Sequence, residues 1–266
     1  MSVSSTTVDR TSESRGSAIA QAATAAPPIG VLRGGSLLVD ASCRALDIVG
    51  SAILLIAMAP LLCAIAIAVR LDSPGPAIFR QQRVGRGRKP FMVNKFRTMG
   101  ADVSHDRHRE FVVGLIKGAP PRHEPSNREL ADRVEDRDDP DDEHDGPRPH
   151  YKMIGDPRVT RFGRLLRRSS LDELPQLWNV LRGDMSLVGP RPPIPYEVEH
   201  YPLEWMDRFT VKPGITGLWQ VSGRSSVTLD EMVRLDIDYA VQRSVWLNLK
   251  ILALTIPAVL CARGAW

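Results

Sequence analysis

Two adjacent acids, Asp172 and Glu173 in the segment Ser-Leu-Asp-Glu-Leu-Pro, are the residues of this sequence best suited to chemistry. Ser170 and Glu173 have the spacing of a helix capping box, which predicts a helix beginning at Ser170. Read alone, the acids favour the plainer role of starting that helix, because acids are common in first turns. Arg167 and Arg168 lie just upstream, and a helix N-terminus offers free N–H groups to a phosphate. A carboxylate in that setting stays ionised and can attack phosphorus.

Two neighbouring carboxylates beside a diphosphate would repel it unless a cation lay between them. The pair therefore implies Mg²⁺, with Asp172 as a ligand and Glu173 as a second candidate. The turn Gly189-Pro-Arg-Pro192 would fix the guanidinium of Arg191 for bidentate contact with a phosphate. The same four residues could equally form an ordinary surface turn.

Basic residues are clustered rather than spread along the chain. The formal net charge is +4, but seven basic residues and no acid lie between Arg80 and Arg97, and five more lie between Arg158 and Arg168. Such patches need anionic partners: phosphorylated ligands, acidic lipid headgroups or nucleic acid. The sequence has no platform of interleaved aromatic and basic residues and no recognised nucleic-acid motif, so we expect no nucleic-acid partner.

A long apolar run must hold the chemistry in place. Ile48–Val69 contains 22 residues without a charge, which is enough for a helix to cross a bilayer. Pro60 lies near its middle and predicts a break in the helix. Arg44 and Arg70 flank the run, and the tendency of cations to stay on the cytoplasmic side would keep both ends there. These features favour a re-entrant helix; a single span and a buried soluble helix remain as alternatives.

The rest of the chain divides by composition. Residues 1–36 are rich in Ser, Thr and Ala and are predicted to be a disordered tail. Residues 37–76 form the membrane-entering helix and a Pro-Gly turn, and residues 77–266 form a catalytic domain. Within that domain, about 100–150 is a disordered acidic insert to which we assign no chemistry. Three widely spaced cysteines indicate no disulfide framework and fit a reducing compartment.

Local patterns predict short elements in the catalytic domain. Two strands flank a glycine turn, and the apolar stripe of one helix ends at Gly183. A structured glycine-rich loop, Lys212–Arg224, and a C-terminal helix lying in the membrane interface follow. The predicted elements are strands Ala77–Arg80 and Phe91–Phe96, and helices or turns Arg161–Arg168, Ser170–Leu181, Pro202–Phe209, 229–240 and Val245–Cys261.

Several segments together resemble the bacterial sugar transferase family, the monotopic phosphoglycosyl transferases, and most closely its exopolysaccharide branch. They are LDIVGSAILLIAMAPLL, SPGPAIFRQQRVGRGRKPF, KFRTM, DPRVTRFGRLLRRSSLDELPQLWNVLRGDMSLVGPRP and KPGITGLWQVSGR, and the resemblance covers about 40–100 and 150–266. It implies a mainly α fold with a small β element: a re-entrant membrane helix, interfacial helices and a cytoplasmic catalytic unit. One departure is Ala59, where many relatives have serine before the helix-breaking proline.

The resemblance also implies roles. Asp172 would be the nucleophile that takes the sugar phosphate from a UDP-sugar, UDP-glucose or UDP-galactose, and releases UMP. Undecaprenyl phosphate would then collect it, with Mg²⁺ as cofactor and Glu173 as catalytic partner. The phosphate and substrate contacts would come from basic side chains: Arg191, Arg167, Lys95 and Arg97.

In the cell, the resemblance places the protein at the bacterial inner membrane, with its catalytic part facing the cytoplasm. There it would begin exopolysaccharide or capsule synthesis, with other polysaccharide-assembly proteins as possible partners. Two alternatives use the same residues differently. One is a membrane-anchored phosphohydrolase that passes the adduct to water. The other is a non-catalytic assembly scaffold.

Overall fold

The computed structural model describes residues 37–100, 159–222 and 227–260, together with a few positions between 109 and 116. The predicted tail at 1–36, nearly all of the insert at 100–150 and the last six residues lie outside this part. Among the described residues the chain is mostly helical with two small sheets. The predicted fold class is confirmed at this level.

The apolar run forms one helix, α1, from Leu37 to Asp72. Of the described residues, this is the one helix long and apolar enough to cross a membrane, judged by length and composition. Its middle is exposed, with Ile56 at 76%, which is unusual for an apolar residue unless another phase covers it. The helix continues through Pro60, so the proline does not end it, and the re-entrant path stays a prediction.

Two antiparallel strands follow: β1, Ile78–Val84, and β2, Pro90–Phe96. Ile78 pairs with Phe96 and Val84 with Pro90, so the hairpin is in register along its length. The turn between them contains a 3-10 helix, Arg86–Arg88, with Gly87 at φ 64°. The predicted hairpin is confirmed, and β1 is longer than predicted.

The acids lie between two helices, α2, Arg161–Arg168, and α3, Gln176–Arg182. The predicted helix start at Ser170 is wrong: Leu171–Glu173 is a single 3-10 turn, and Ser170 makes no side-chain cap. The reason is Pro175, which has no N–H to donate to Leu171 and so interrupts an α-helical hydrogen-bond ladder. The predicted end is confirmed, because α3 closes on Gly183 at φ 96°.

The remaining elements build the wall behind α3. Two three-residue strands pair in parallel, Ser186 beside Gly214; the second of them lies in the segment predicted as a loop. Thr228 and Glu231 form a capping box at the start of a long helix. The elements are β3 Ser186–Val188, α4 Pro195–Val198, a 3-10 helix Leu203–Thr210, β4 Gly214–Thr216, α5 Leu218–Ser222, α6 Leu229–Gln242 and α7 Val245–Leu260.

The main apolar core lies where these elements meet. It joins β2 and α3 to β3 and the two last helices. α7 leaves large apolar side chains outside this core, with Trp246 at 77% and Ile256 at 64% exposure. This is the pattern expected of a helix in a membrane interface. The core residues are Val93, Leu177, Val180, Met185, Leu187, Val188, Val211, Tyr239 and Ile251.

Candidate active site

The acid pair sits on a strained turn. Ser170, just before it, has φ 56° and ψ 16°, a left-handed conformation that non-glycine residues rarely adopt. Leu171 packs against an apolar cluster that contains Val69 of α1. Pro175 then begins the next turn. Strain held by surrounding contacts is common at functional sites, and here it lies just before the two acids.

Strand β2 supplies the partner of Glu173. The Lys95 ammonium lies 2.7 Å from Glu173 Oε1, and both side chains are mostly buried. Asp172 has no such direct ion pair among the described residues. Burial first, and the Glu173 charge second, raise the pKa of Asp172 to about 6, while Lys95 and Arg167 oppose the rise. Asp172 is therefore mainly ionised at neutral pH, with the proton affinity of a poised group rather than of a surface carboxyl.

A cleft opens beside Glu173, and most of its charged lining residues are cationic; Asp172, the neighbour of Glu173, is not among the lining residues. Lys95 and Arg191 reach it from different segments of the chain, while Glu173 is its acid. Two neutral amides, Gln176 and Gln220, complete the polar part. A cleft with this charge suits a phosphorylated ligand. Its lining residues are Arg83, Val93, Lys95, Glu173, Gln176, Arg191, Pro192, Gly214, Ile215 and Gln220.

The loop that carries Arg191 is held from two sides. Arg83 Nη1 donates to Pro192 O at 3.0 Å, and Arg208 Nη2 donates to Arg191 O at 3.1 Å. Arg208 is itself fixed by a buried ion pair with Asp236 of α6. These hydrogen bonds from buried guanidinium groups to backbone carbonyls are a physical reason for the predicted Gly-Pro-Arg-Pro turn to be rigid.

Two of the predicted basic ligands are placed elsewhere. Arg167 Nε donates to Thr98 Oγ1 at 2.9 Å, and its charge reaches Asp172 from outside the cleft lining. Arg97 Nη2 donates to Ser73 O at 2.5 Å and to Val69 O at 3.3 Å. Arg97 therefore caps the end of α1 and does not line the cleft with Lys95. A phosphate contact of Arg97 stays a prediction.

Both ends of α1 dock onto the unit that carries the cleft. Near its start, Asp47 Oδ1 accepts from Leu187 N at 2.8 Å and from Ser186 Oγ at 2.9 Å. Near its end, Val69 is buried in a cluster with Phe96 and Leu166. The exposed middle lies between these two contacts. The apolar helix is thus attached to the catalytic unit twice.

Metal binding depends on few carboxylates. In the described part of the chain no group of three or more His, Cys, Asp and Glu side chains could hold a metal ion. Mg²⁺ is commonly held by one or two carboxylates together with substrate phosphates and water. Asp172, with Glu173 beside it, fits that requirement, although Glu173 Oε1 is already engaged by Lys95.

Sequence reasoning missed several residues that build the site. Asn179, Gln176 and the Arg208–Asp236 pair are all buried polar groups. A buried polar side chain needs a partner, but the sequence around Arg208 and Asp236 has no local pattern that marks these two positions as buried. The apolar stripe of α3 offered one signal: Gln176 and Asn179 lie beside it on the same short helix.

The described residues combine an exposed apolar helix, long enough to cross a membrane, with a cationic cleft next to a partly buried pair of carboxylates. A family model described as bacterial sugar transferase matches residues 39–262, and the chain belongs to that family.

Curated relatives agree with this assignment. The chain is 40% identical to the UDP-glucose:undecaprenyl-phosphate glucose-1-phosphate transferase of Caulobacter vibrioides over 236 residues, 86% of this chain and 73% of the relative. It is 40% identical to the galactosyl transferase CpsE of Streptococcus agalactiae, covering 84% of this chain and 43% of the relative. The undecaprenyl-phosphate galactose phosphotransferase of Salmonella typhimurium is also 40% identical, with 84% and 41% covered. The chain thus spans less than half the length of the last two.

Proposed function

We propose that this protein transfers a sugar 1-phosphate from a UDP-sugar to undecaprenyl phosphate. The observation that carries the proposal is the ionisable Asp172 next to Glu173, which lines a cationic cleft, on a unit docked to both ends of an apolar helix. One substrate dissolves in water and the other is confined to the bilayer. A nucleophile that serves both must lie at the interface between them.

In the first step, a carboxylate oxygen of Asp172 attacks the sugar-bearing phosphorus of the donor. The bond from that phosphorus to the bridging oxygen of the diphosphate breaks, and UMP leaves with the electron pair. In the second step, a phosphate oxygen of the lipid attacks the same phosphorus and frees the aspartate. Because phosphoryl transfer depends mainly on positioning and charge neutralisation, Lys95 and Arg191 would supply much of what it needs.

The other charged residues have supporting tasks in this scheme. Glu173 holds the Lys95 ammonium at 2.7 Å, which keeps that cation beside Asp172. Bound Mg²⁺, held through Asp172 and the substrate phosphates, would neutralise charge on the diphosphate. Arg167 adds a further positive charge near Asp172 and helps to keep it ionised.

The test is transfer of radiolabelled sugar phosphate into the lipid fraction by purified protein with undecaprenyl phosphate and Mg²⁺. Asp172→Asn is expected to abolish transfer, while Asp238→Asn, an exposed aspartate on α6, should behave like the wild type. Full activity of Asp172→Asn would refute the mechanism. Release of the label into water as free sugar phosphate would instead favour the phosphohydrolase. Complementation of a transferase-deficient strain by Asp172→Asn would favour the scaffold.

The donor is proposed from the relatives, whose names specify glucose in one and galactose in another. A panel of UDP-sugars scored for UMP release would identify it. UDP-glucose and UDP-galactose are expected to be the best donors. A clear preference for a third sugar would contradict this part of the proposal.

We also propose that α1 is re-entrant and that the cleft faces the cytoplasm. A single span would carry the ends of α1 to opposite sides of an apolar layer about 30 Å thick, yet both ends contact one unit. Single cysteines at Leu38 and Phe79, in a background with the native cysteines replaced by alanine, would be labelled in sealed inner-membrane vesicles. Labelling from the same side is expected; labelling from opposite sides would refute the topology.

A further inference from the structure

Gln176 is a buried residue whose side chain carries an amide and which lines the cleft. Its side chain is 3% exposed, and it lines the cleft beside Glu173 and Arg191. No hydrogen bond joins its amide to any other residue that the structure describes, and the amide atoms keep some exposure to solvent. A buried amide without a partner costs stability. A ligand in the cleft would satisfy it.

The chemistry of an amide indicates which ligand group it would contact. Phosphate oxygens only accept hydrogen bonds, and cationic side chains already line the cleft for them. An amide both donates and accepts, which matches a sugar hydroxyl or the edge of a uracil ring. The second amide of the cleft already uses its nitrogen, because Gln220 Nε2 donates to Ile215 O at 3.2 Å.

The geometry of phosphoryl transfer indicates whether Gln176 contacts the sugar or the uracil of the donor. In phosphoryl transfer the attacking and leaving oxygens lie roughly in line through phosphorus. With Asp172 as nucleophile, the departing nucleotide extends away from it on the far side. The sugar is joined through one of the other oxygens and lies to the side of that line. Gln176 follows Asp172 by four residues across one turn, so a sugar on the attacked phosphorus would lie nearer to Gln176 than the uracil of the departing nucleotide would.

We propose that Gln176 hydrogen-bonds a hydroxyl of the transferred sugar and helps to select that sugar, an inference that rests on the proposed function. Gln176 would contact the substrate through its amide and take no part in the bond changes. Leaving one buried hydrogen-bonding group without its partner lowers binding in the transition state by about 5- to 150-fold. Removal of one particular sugar hydroxyl should therefore cause this loss in binding, and removal of the other hydroxyls should not.

The experiment compares wild type with Gln176→Met, which removes the amide while keeping a side chain of similar length. Each protein is assayed with its best UDP-sugar and with the 2-, 3-, 4- and 6-deoxy forms of that donor. In the wild type, one deoxy donor should lose about 5- to 150-fold in kcat/KM. In Gln176→Met, the parent donor should lose a similar factor, and that deoxy donor should lose little more. Gln82→Met, on the exposed side of β1, is the matched control and should keep the wild-type pattern.

The inference is overturned if every deoxy donor loses the same factor in kcat/KM, relative to the parent donor, in Gln176→Met as in the wild type. The inference would also be overturned if Gln176→Met changed the loss in kcat/KM that methylation of the donor at uracil N3 causes, and changed the loss of no deoxy donor. Gln176→Leu provides a second apolar variant if Gln176→Met does not fold, and thermal unfolding checks both. Failure of the proposed function is a separate result, since the wild type would then form no lipid-linked product with any donor.

Discussion

Asn179 completes the edge of the hairpin in the way that a third strand would. Its Oδ1 accepts from Asn94 N at 3.0 Å, and its Nδ2 donates to Met92 O at 2.7 Å. Residues 92 and 94 are the alternate positions of β2 whose backbone groups point away from β1. Asn94 Nδ2 adds a bond of 3.0 Å to the same oxygen. This side chain therefore fixes α3, which follows Asp172, against the strand that carries Lys95.

Replacing Asn179 by leucine keeps the approximate volume but leaves a backbone N–H and a C=O without partners. Each unsatisfied buried group costs about 1–3 kcal/mol. Because both groups are partly rather than fully buried, we expect a total loss of about 2–4 kcal/mol. That is a large fraction of a typical unfolding free energy of about 5–15 kcal/mol.

Urea unfolding in detergent, followed by tryptophan fluorescence, measures this loss. Asn94→Ala is the graded control: it removes one side-chain bond and keeps the backbone N–H bond to Asn179, so we expect a loss of about 1 kcal/mol or less. Transfer activity of the folded Asn179→Leu protein should also fall, because Lys95 loses its register with Glu173. The reasoning is refuted if Asn179→Leu unfolds within about 1 kcal/mol of wild type, or if Asn94→Ala costs as much.

Three further predictions concern the elements around the site. Burial raises the pKa of Asp172 to about 6 from an ordinary 3.8, so ionisation of Asp172 destabilises the folded state as the pH rises through this range. Asp172→Asn should therefore be more stable than the wild type at pH 7.5 in EDTA, by up to about 3 kcal/mol. Urea unfolding should show that this difference in stability disappears at pH 4. Ser170→Gly should raise the unfolding free energy by about 1 kcal/mol, because glycine tolerates φ 56°; a lower unfolding free energy would show that the turn is not strained. Asp47→Leu should speed hydrogen exchange of the Leu187 amide at least about tenfold, because that amide loses its acceptor; unchanged exchange would show that the contact does not hold the amide.

Elements with a strong local pattern were predictable from the sequence. The apolar run, the glycine turn of the hairpin and the amphipathic helix predicted at 229–240 each depend on a few neighbouring residues, so the sequence contains their cause. The same holds for Lys95, Glu173 and Arg191 as members of one site. Their residue types suit phosphate chemistry, and the structure brings all three to one cleft.

Features set by distant contacts were not predictable. β3 and β4 have three residues each and pair in parallel across 28 positions of sequence, and such short strands leave no periodic signal. Arg97 was grouped with Lys95 because the two are nearly adjacent. Residues two apart share a face only while the strand continues. β2 ends at Phe96, so Arg97 does not follow the alternation: Lys95 contacts Glu173, whereas Arg97 reaches the end of α1.

The position of Asp172 relative to α1 is set by one short helix, α3. At the C-terminal end of α3, Arg44 donates to Val180 O at 2.6 Å and to Leu181 O at 2.8 Å, where a cation also complements the helix dipole. The seven residues of α3 span about 10 Å, and Asp172 lies just before its other end. The flanking charge of Arg44, interpreted from the sequence as a signal of topology, therefore has a second use. It joins α1 to the helix that follows Asp172. Under the proposed function, a lipid phosphate held at the membrane surface would therefore meet Asp172 at a fixed distance.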